Sequence, residues 1–478
     1  MTATPPPRRL PGRARLAFGL GSIAYGIKDN GFATFLLLFY NQVMGLPPDR
    51  VGAVIALVLV VEAFADPLVG FLSDNTRGKW GRRHPWMYAS ALPVAAGWLL
   101  LWNPPAGWSP DALLGYLFGA ALLVRLALSM FEIPSAALGP ELSSDYDERT
   151  KLFAYRYLFG WVGGLGMLFL AYAVFLRPDA THANGLQNAL GYSHWALLGA
   201  VLMVLSILSS SLMLHPEIKY LPPAGARGES LRDHFTAFGR AVANRGFLVL
   251  MVAGLFAYTA QGTSFALSNY LYAFVWRFAD MDYQLLALAL LIGAIGAFFL
   301  APRMTRRGDK RAVAGAFALA NAVLLSAPYF LHLLGLFPPP GERQTITLLL
   351  VIFCVNTTAG VGAFILGASM LSDVVEESER RTGQRSEGVY FAGSFFVQKL
   401  VGGLGALFAG LILKAADFPA NAQPGSVPDA TIERLVLIFG VTVFVVYGLG
   451  ALAYRRFPFG RAEHEARIAA LAGPDLAS

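Results

Sequence analysis

The sequence predicts an all-α membrane protein with twelve transmembrane helices in two pseudo-symmetric six-helix bundles. Three observations predict it. Of the 478 residues, 56% are hydrophobic and only 14% charged, where a globular domain carries about 25% charged residues. Apolar runs of about 20 residues, the length that crosses a bilayer, recur from end to end. Arginine and lysine collect in alternate loops, the distribution that orients a polytopic chain in its membrane.

Taken in order, the apolar runs cover 16–43, 50–74, 86–103, 110–138, 151–176 and 190–214, then 246–275, 283–302, 311–334, 345–371, 387–414 and 432–455. The longer ones are accommodated by tilt. Residues 1–15 are rich in Pro and Arg without an apolar stretch, which reads as a cytoplasmic tail and not a signal peptide. Arg8, Arg9, Arg13 and Arg15 precede span one, and Arg77, Lys79, Arg82 and Arg83 follow span two. Arg303, Arg306, Arg307, Lys310 and Arg311 follow span eight, and Arg455, Arg456 and Arg461 follow span twelve. The loop 103–110 has no base, and Arg177 stands alone between spans five and six. Both termini are therefore expected in the cytoplasm.

The polar stretch 215–245 reads as a cytoplasmic middle loop, with Pro222-Pro223 and an amphipathic helix expected from Glu229 to Ala243. It separates bundles at 16–214 and 246–455, and 456–478 forms a second tail. The basic loops after spans two and eight hold matching positions in the two halves, a weak internal repeat of the kind secondary transporters carry. Cys354 is the only cysteine, so no intramolecular disulfide forms, and the seven histidines show no metal-ligand spacing. The net charge of +7 is spread over membrane-flanking loops and does not predict nucleic-acid binding.

Ionisable residues inside the spans carry the functional signal. Glu62 and Asp66 in span two are four apart and share a helix face, about 6 Å from each other. Each costs roughly 2.5–3.5 kcal/mol at a bilayer centre, a cost that a bound cation would offset. Span four carries Arg125 and Glu132, seven apart on one face, with Pro134 following Glu132 as Pro67 follows Asp66. Spans two and four run in the same direction, so Asp66 and Glu132 are expected at one depth. Three carboxylates there repel unless a cation or a proton is present, or they form a structural cluster with Arg125. Lys28 and Asp29 lie near the middle of span one, and adjacent helical residues point about 100° apart, so mutual neutralisation is not expected. Arg156 in span five and Lys399 in span eleven are the opposing bases. Gln261, Thr263, Ser264, Asn269 and Tyr272 read as a cavity wall in span seven, and Tyr25, Trp161, Tyr390 and Phe396 as sugar-stacking or packing aromatics. The glycines of spans five and eleven mark close helix contact.

The chain resembles the major facilitator superfamily and, within it, the glycoside–pentoside–hexuronide:cation symporters, the melibiose permease group. The resemblance rests on Asp66-Pro67-Leu68-Val69-Gly70 and on Ser73-Asp74-Asn75-Thr76-Arg77-Gly78-Lys79-Trp80-Gly81-Arg82-Arg83-His84-Pro85-Trp86. Glu132-Ile133-Pro134, Glu148-Arg149-Thr150, Tyr155-Arg156, Asp373-Val374-Val375-Glu376 and the run from Thr382 to Gly388 support it. It implies a cation site at Glu62, Asp66 and Glu132, holding sodium if not a proton, and a substrate site at Asp29, Lys28, Arg156 and Lys399, with Lys399 linking the two. It implies a cytoplasmic gate from Asp74, Arg77, Arg82, Arg83, Glu141 and Arg149. Two departures stand out: Glu62 and Glu132 where the melibiose permease has aspartate, and Ala136 where it has a sugar-stacking tryptophan, which argues against a galactoside.

The expectation is a monomeric, cation-coupled (Na+ or H+) symporter of the bacterial inner membrane that imports a sugar or glycoside by alternating access, with the lipid bilayer and the small molecule as its partners. A lipid or lysolipid carrier and a non-transporting receptor are the alternatives. No nucleophile–base set, metal motif or phosphate loop predicts an enzyme, and no cofactor is expected beyond the co-transported ion.

Overall fold

The computed structural model describes residues 10–458 except 144–145, 179–183, 222–238, 240–242, 308 and 383–386. Most of the expected middle-loop helix Glu229–Ala243 and residues 459–478 lie outside the described residues. Twelve long helical runs are present among those described. The first, α1, comprises Gly12–Leu20 and Ser22–Gly31 and continues as π-helical turns at Phe32–Leu36 and Phe39–Val43. It is followed by α2 (Pro48–Asn75), α3 (His84–Trp102), α4 (Pro110–Leu142), α5 (Tyr146–Leu170, continued by Ala171–Phe175) and α6 (Ala189–Leu214). The second half comprises α7 (Arg245–Tyr270, continued by Leu271–Val275), α8 (Asp280–Arg307), α9 (Lys310–Leu333), α10 (Arg343–Thr382), α11 (Glu387–Ala415) and α12 (Asp429–Arg455).

The helix starts follow local chemistry. Asn188, Asn244 and Asp309 cap α6, α7 and α9 by accepting backbone N–H bonds, at 3.0 Å from Gly191 N in the first case. Ser109 caps α4 ahead of Pro110, which needs no donor at the first helical position. Ten of the helices are long and apolar enough to cross a membrane. The two others are α1, interrupted at Gly21, and α3, whose prolines and tryptophans lower its hydropathy. Leu92, Ile292, Phe298 and Phe299 expose most of their surface, a liability in water and the normal condition of a side chain that faces lipid.

The chain divides into two compact units, Met1–Leu231 with Pro419–Gln423, and Arg232–Phe418 with Pro424–Ser478. In the first unit the packed pairs include α1 with α5 and α6, α2 with α4, and α3 with α4 and α6. In the second they are α7 with α11 and α12, α8 with α10, and α9 with α10 and α12. Adding six to each helix number converts one set into the other, so the repeat that was faint in the sequence is complete in the packing. The glycines repeat as well. A Cβ on Gly26 of α1 would strike the Gly160 carbonyl of α5, and one on Gly405 of α11 would strike Gly262 of α7. Both of these approaches thus need a residue without a side chain.

The first unit's core is an aromatic stack. Trp98, Trp102, Trp195, Tyr192 and Phe39 are buried, with Trp102 parallel to Tyr192 at a centroid distance of 5.6 Å. The short segment Pro419–Gln423 packs as part of this unit. The Gln42 side chain donates to Pro419 O (3.0 Å) and accepts from Ala422 N (2.8 Å), and Gln187 donates to Ala422 O.

Candidate substrate and cation site

The parallel helices α2 and α4 meet in a fixed register. Arg125 Nη1 donates to Glu62 Oε2, and one turn further Ser129 Oγ donates to Asp66 Oδ1 at 2.6 Å. The same offset brings Gly70 against Ile133, where a Cβ on the glycine would lie 3.6 Å from the isoleucine side chain. Glu62 and Asp66 thus share a face, as their spacing predicts, and that face is turned to α4. Glu62 is almost completely buried, while Asp66 and Glu132 are half-buried. Arg125 is buried too, with its guanidinium carbon 4.5 Å above the Phe32 ring of α1. Phe32 in turn stacks on Trp98, so the arginine is held between a carboxylate and the aromatic core.

The other predicted site residues of this unit lie on α1 and α5. Lys28 is buried and Asp29 exposed, and Lys28 Nζ comes within 3.5 Å of Asp29 Oδ1. This corrects the expectation that the two would not neutralise each other, because the four-carbon lysine stem spans the angular gap that separates the two Cβ atoms. The same ammonium lies 4.7 Å from the centre of the Tyr25 ring. Arg156 donates to Ser135 Oγ (3.0 Å) and to the Glu132 carbonyl oxygen (3.3 Å). It is therefore fixed on α4 beside Glu132. Lys399 is half-buried on α11 of the second unit. Among the described residues, no group of three His, Cys, Asp or Glu side chains could hold a metal ion.

At the end of the bundle where α2 leads into α3, Arg83 is buried among Asp74 (2.5 Å), Glu141 (3.0 Å) and Ser73 Oγ (2.9 Å), and Arg82 reaches the same Glu141 oxygen at 2.8 Å. This network joins the end of α2, the start of α3 and the end of α4. Arg77 is exposed and outside it, and the Arg149 side chain lies outside the described residues. His84, next to Arg83 and ahead of the span that begins at Trp86, is buried with its ring 5.7 Å from that of His215. Tyr88 contacts His215 Nδ1 through its hydroxyl at 3.1 Å. Burial, with the neighbouring His215, pushes His84 down to about 4.

Several expected cavity residues turn inward instead. Tyr390 is buried and donates to Ser378 Oγ at 3.0 Å while packing edge-on against Phe247, so it is a core residue and not a sugar platform. Tyr272 stacks on Phe278. Thr263 bonds to Thr259 O and across to Gly405 O, and Ser264 to Ala260 O, so this part of the α7 polar stripe is satisfied within its own bundle. Ser129 and Ser135 are the site residues that sequence reasoning missed. Each lies three residues from Glu132 on α4, where Ser129 answers Asp66 and Ser135 answers Arg156.

The family model described as "MFS/sugar transport protein" matches residues 17–461. The chain belongs to that family. Its curated relatives include the inner membrane symporter YicJ of Escherichia coli strain K12, 23% identical with 93% of this chain and 91% of the relative covered. The isoprimeverose transporter of Lactiplantibacillus pentosus is 23% identical, covering 93% and 88%, and the glucuronide carrier protein homolog of E. coli strain K12 is 22% identical, covering 87% and 86%. Among solved structures, a D-xylose-proton symporter superposes with a TM-score of 0.62 at 13% identity over 93% of this chain and 97% of that one. The resemblance to the glycoside–pentoside–hexuronide:cation symporters is thereby borne out, as are the major facilitator fold and an integral, multi-pass membrane placement.

Proposed function

We propose that this family member is a cation-coupled symporter that imports a sugar or glycoside across a bacterial inner membrane by alternating access, with both termini cytoplasmic. The observation that carries the reading is the α2–α4 charge ladder: four carboxylates and three bases sit in the middle of the first unit's spans, where each ion is costly unless partnered. Such an arrangement responds to the arrival or loss of one positive charge, which a coupling site must do. In this reading Asp66 and Glu132 take part in coupling. Lys28, Asp29 and Arg156 supply donors and acceptors to substrate hydroxyls, and Lys399 links the two functions as the family resemblance implies. Asp74, Arg82, Arg83 and Glu141 hold the cytoplasmic gate.

A second reading, an anionic sugar as substrate, is favoured by the excess of bases over acids among the residues assigned to substrate, and it agrees with the name of the glucuronide relative. One experiment separates the readings. Purified protein in liposomes is offered pentoses, hexoses, glycosides and glucuronides under separately imposed sodium and pH gradients. Gradient-driven accumulation of a neutral sugar supports the first reading, and accumulation confined to acidic sugars supports the second. Binding without accumulation across the whole panel contradicts transport.

A further inference from the structure

The Arg125–Glu62 pair bears on which ion is used, and the inference rests on the symporter reading above. Three observations converge on it. The guanidinium donates directly to the Glu62 carboxylate, and both groups are more than nine-tenths buried. Arg125 is clamped from its other side by the Phe32 ring at 4.5 Å, itself stacked on Trp98, so the arginine is not swinging in a water-filled space. An arginine also keeps its charge at every physiological pH, so the site cannot clear itself of that charge by releasing a proton.

A sodium ion needs several oxygens converging on one point. Here one of the candidate oxygens already accepts from a permanent cation, and sodium entering beside it would face like-charge repulsion in a low-dielectric setting. The α2–α4 register makes this a built feature: Arg125 answers Glu62 while Ser129, four residues later, answers Asp66 at 2.6 Å. A slip of one residue would break both pairs together.

We propose that Arg125 is the resident cation of the α2–α4 site, that its guanidinium takes the place on Glu62 that a sodium ion would need, and that transport by this chain is therefore independent of sodium. The glutamate at position 62 serves this role through its longer arm, which reaches across to α4.

The test uses the full-length protein in detergent and reads its thermal unfolding in sodium chloride against choline chloride at constant ionic strength, with no substrate present. The wild-type midpoint should be the same in both salts, and so should that of Arg125→Lys, which keeps the charge. Arg125→Asn, which removes the charge and adds an oxygen, should gain a saturable, sodium-specific rise in its midpoint. A saturable sodium-specific rise in the wild type overturns the proposal without any variant, so a variant that fails to fold does not shelter it. A folded Arg125→Asn that stays blind to sodium overturns it too. These readouts need no transport, so a chain that moves no sugar under any gradient would sink the symporter reading while leaving the salt comparison to decide the role of Arg125.

Discussion

The two units share one packing plan and differ in what they place inside it. In the first, the middle of the spans holds Lys28, Asp29, Glu62, Asp66, Arg125, Glu132 and Arg156; Lys28 pairs with its neighbour Asp29, and contacts between helices join Glu62 to Arg125, Asp66 to Ser129 and Arg156 to the Glu132 carbonyl. In the second, Thr263, Ser264, Asn321, Ser326 and Thr357 bond mainly to carbonyls one turn back on their own helices. The ends differ in the same way. Arg83 and Arg82 at the start of α3 share Glu141 at the end of α4, where the equivalent pair in the second unit is a single, more exposed Lys310 on Asp373. Backbone-satisfied hydroxyls do not change state when an ion passes, whereas interhelical ion pairs do. In the proposed reading the coupling chemistry therefore belongs to the first unit, and the second unit contributes chiefly a scaffold, with Lys399 carried over from the family resemblance.

The largest expected asymmetry in stability is toward acid. His84 is held down at about 4 by burial beside His215, against 6.5 for a free histidine. Between those values the unfolded chain binds a proton that the folded chain does not, so stability falls as pH falls from about 6.5 to about 4, by at most about 3 kcal/mol. Unfolding midpoints measured across that range should drop, and less so in His84→Gln. An equal drop in both proteins would remove this distinction between the units.

Arg83→Ala strips two carboxylates of a buried partner and should destabilise by about 2 kcal/mol. Lys310→Ala in the equivalent place breaks a more exposed, half-buried pair and should lose less, about 1 kcal/mol. Chemical denaturation of the two variants checks the ordering, and equal losses would erase the difference between these two equivalent ends. The smallest effect belongs to the second unit's interior. Thr358 Oγ1 donates to Gly293 O and Cys354 O, and Thr358→Val should cost about 1 kcal/mol while leaving sugar accumulation near wild type. A collapse of accumulation in that folded variant would show that the second unit's hydroxyls also belong to the coupling machinery.

Much of this was legible in the sequence. Runs of apolar residues and alternating basic loops define the twelve spans because lipid requires every span to satisfy its own backbone. The spacing of Glu62 and Asp66 shows that they share a face, since the helical period alone determines it. The partners of that face were not legible. Whether Glu62 meets Arg125 or Glu132 depends on how far α4 slides along α2, and no single-helix pattern encodes that translation. The sequence left Tyr390 open between sugar stacking and packing, and read Tyr272 as cavity wall, for a related reason. An aromatic with a polar tip satisfies either a cavity or a core hydroxyl, and Ser378 and Phe278 decide which. Lys28 and Asp29 were judged by Cβ direction when the length of the lysine stem governs their contact.

The most direct test of the central claim compares Asp66→Asn with wild type in liposomes, measuring both gradient-driven accumulation and equilibrium exchange of the substrate that the panel identifies. Loss of accumulation with exchange retained is the predicted result, because the substrate still binds while the carboxylate that senses the coupling charge is gone. Accumulation at the wild-type level would contradict the assignment of coupling to the α2–α4 ladder.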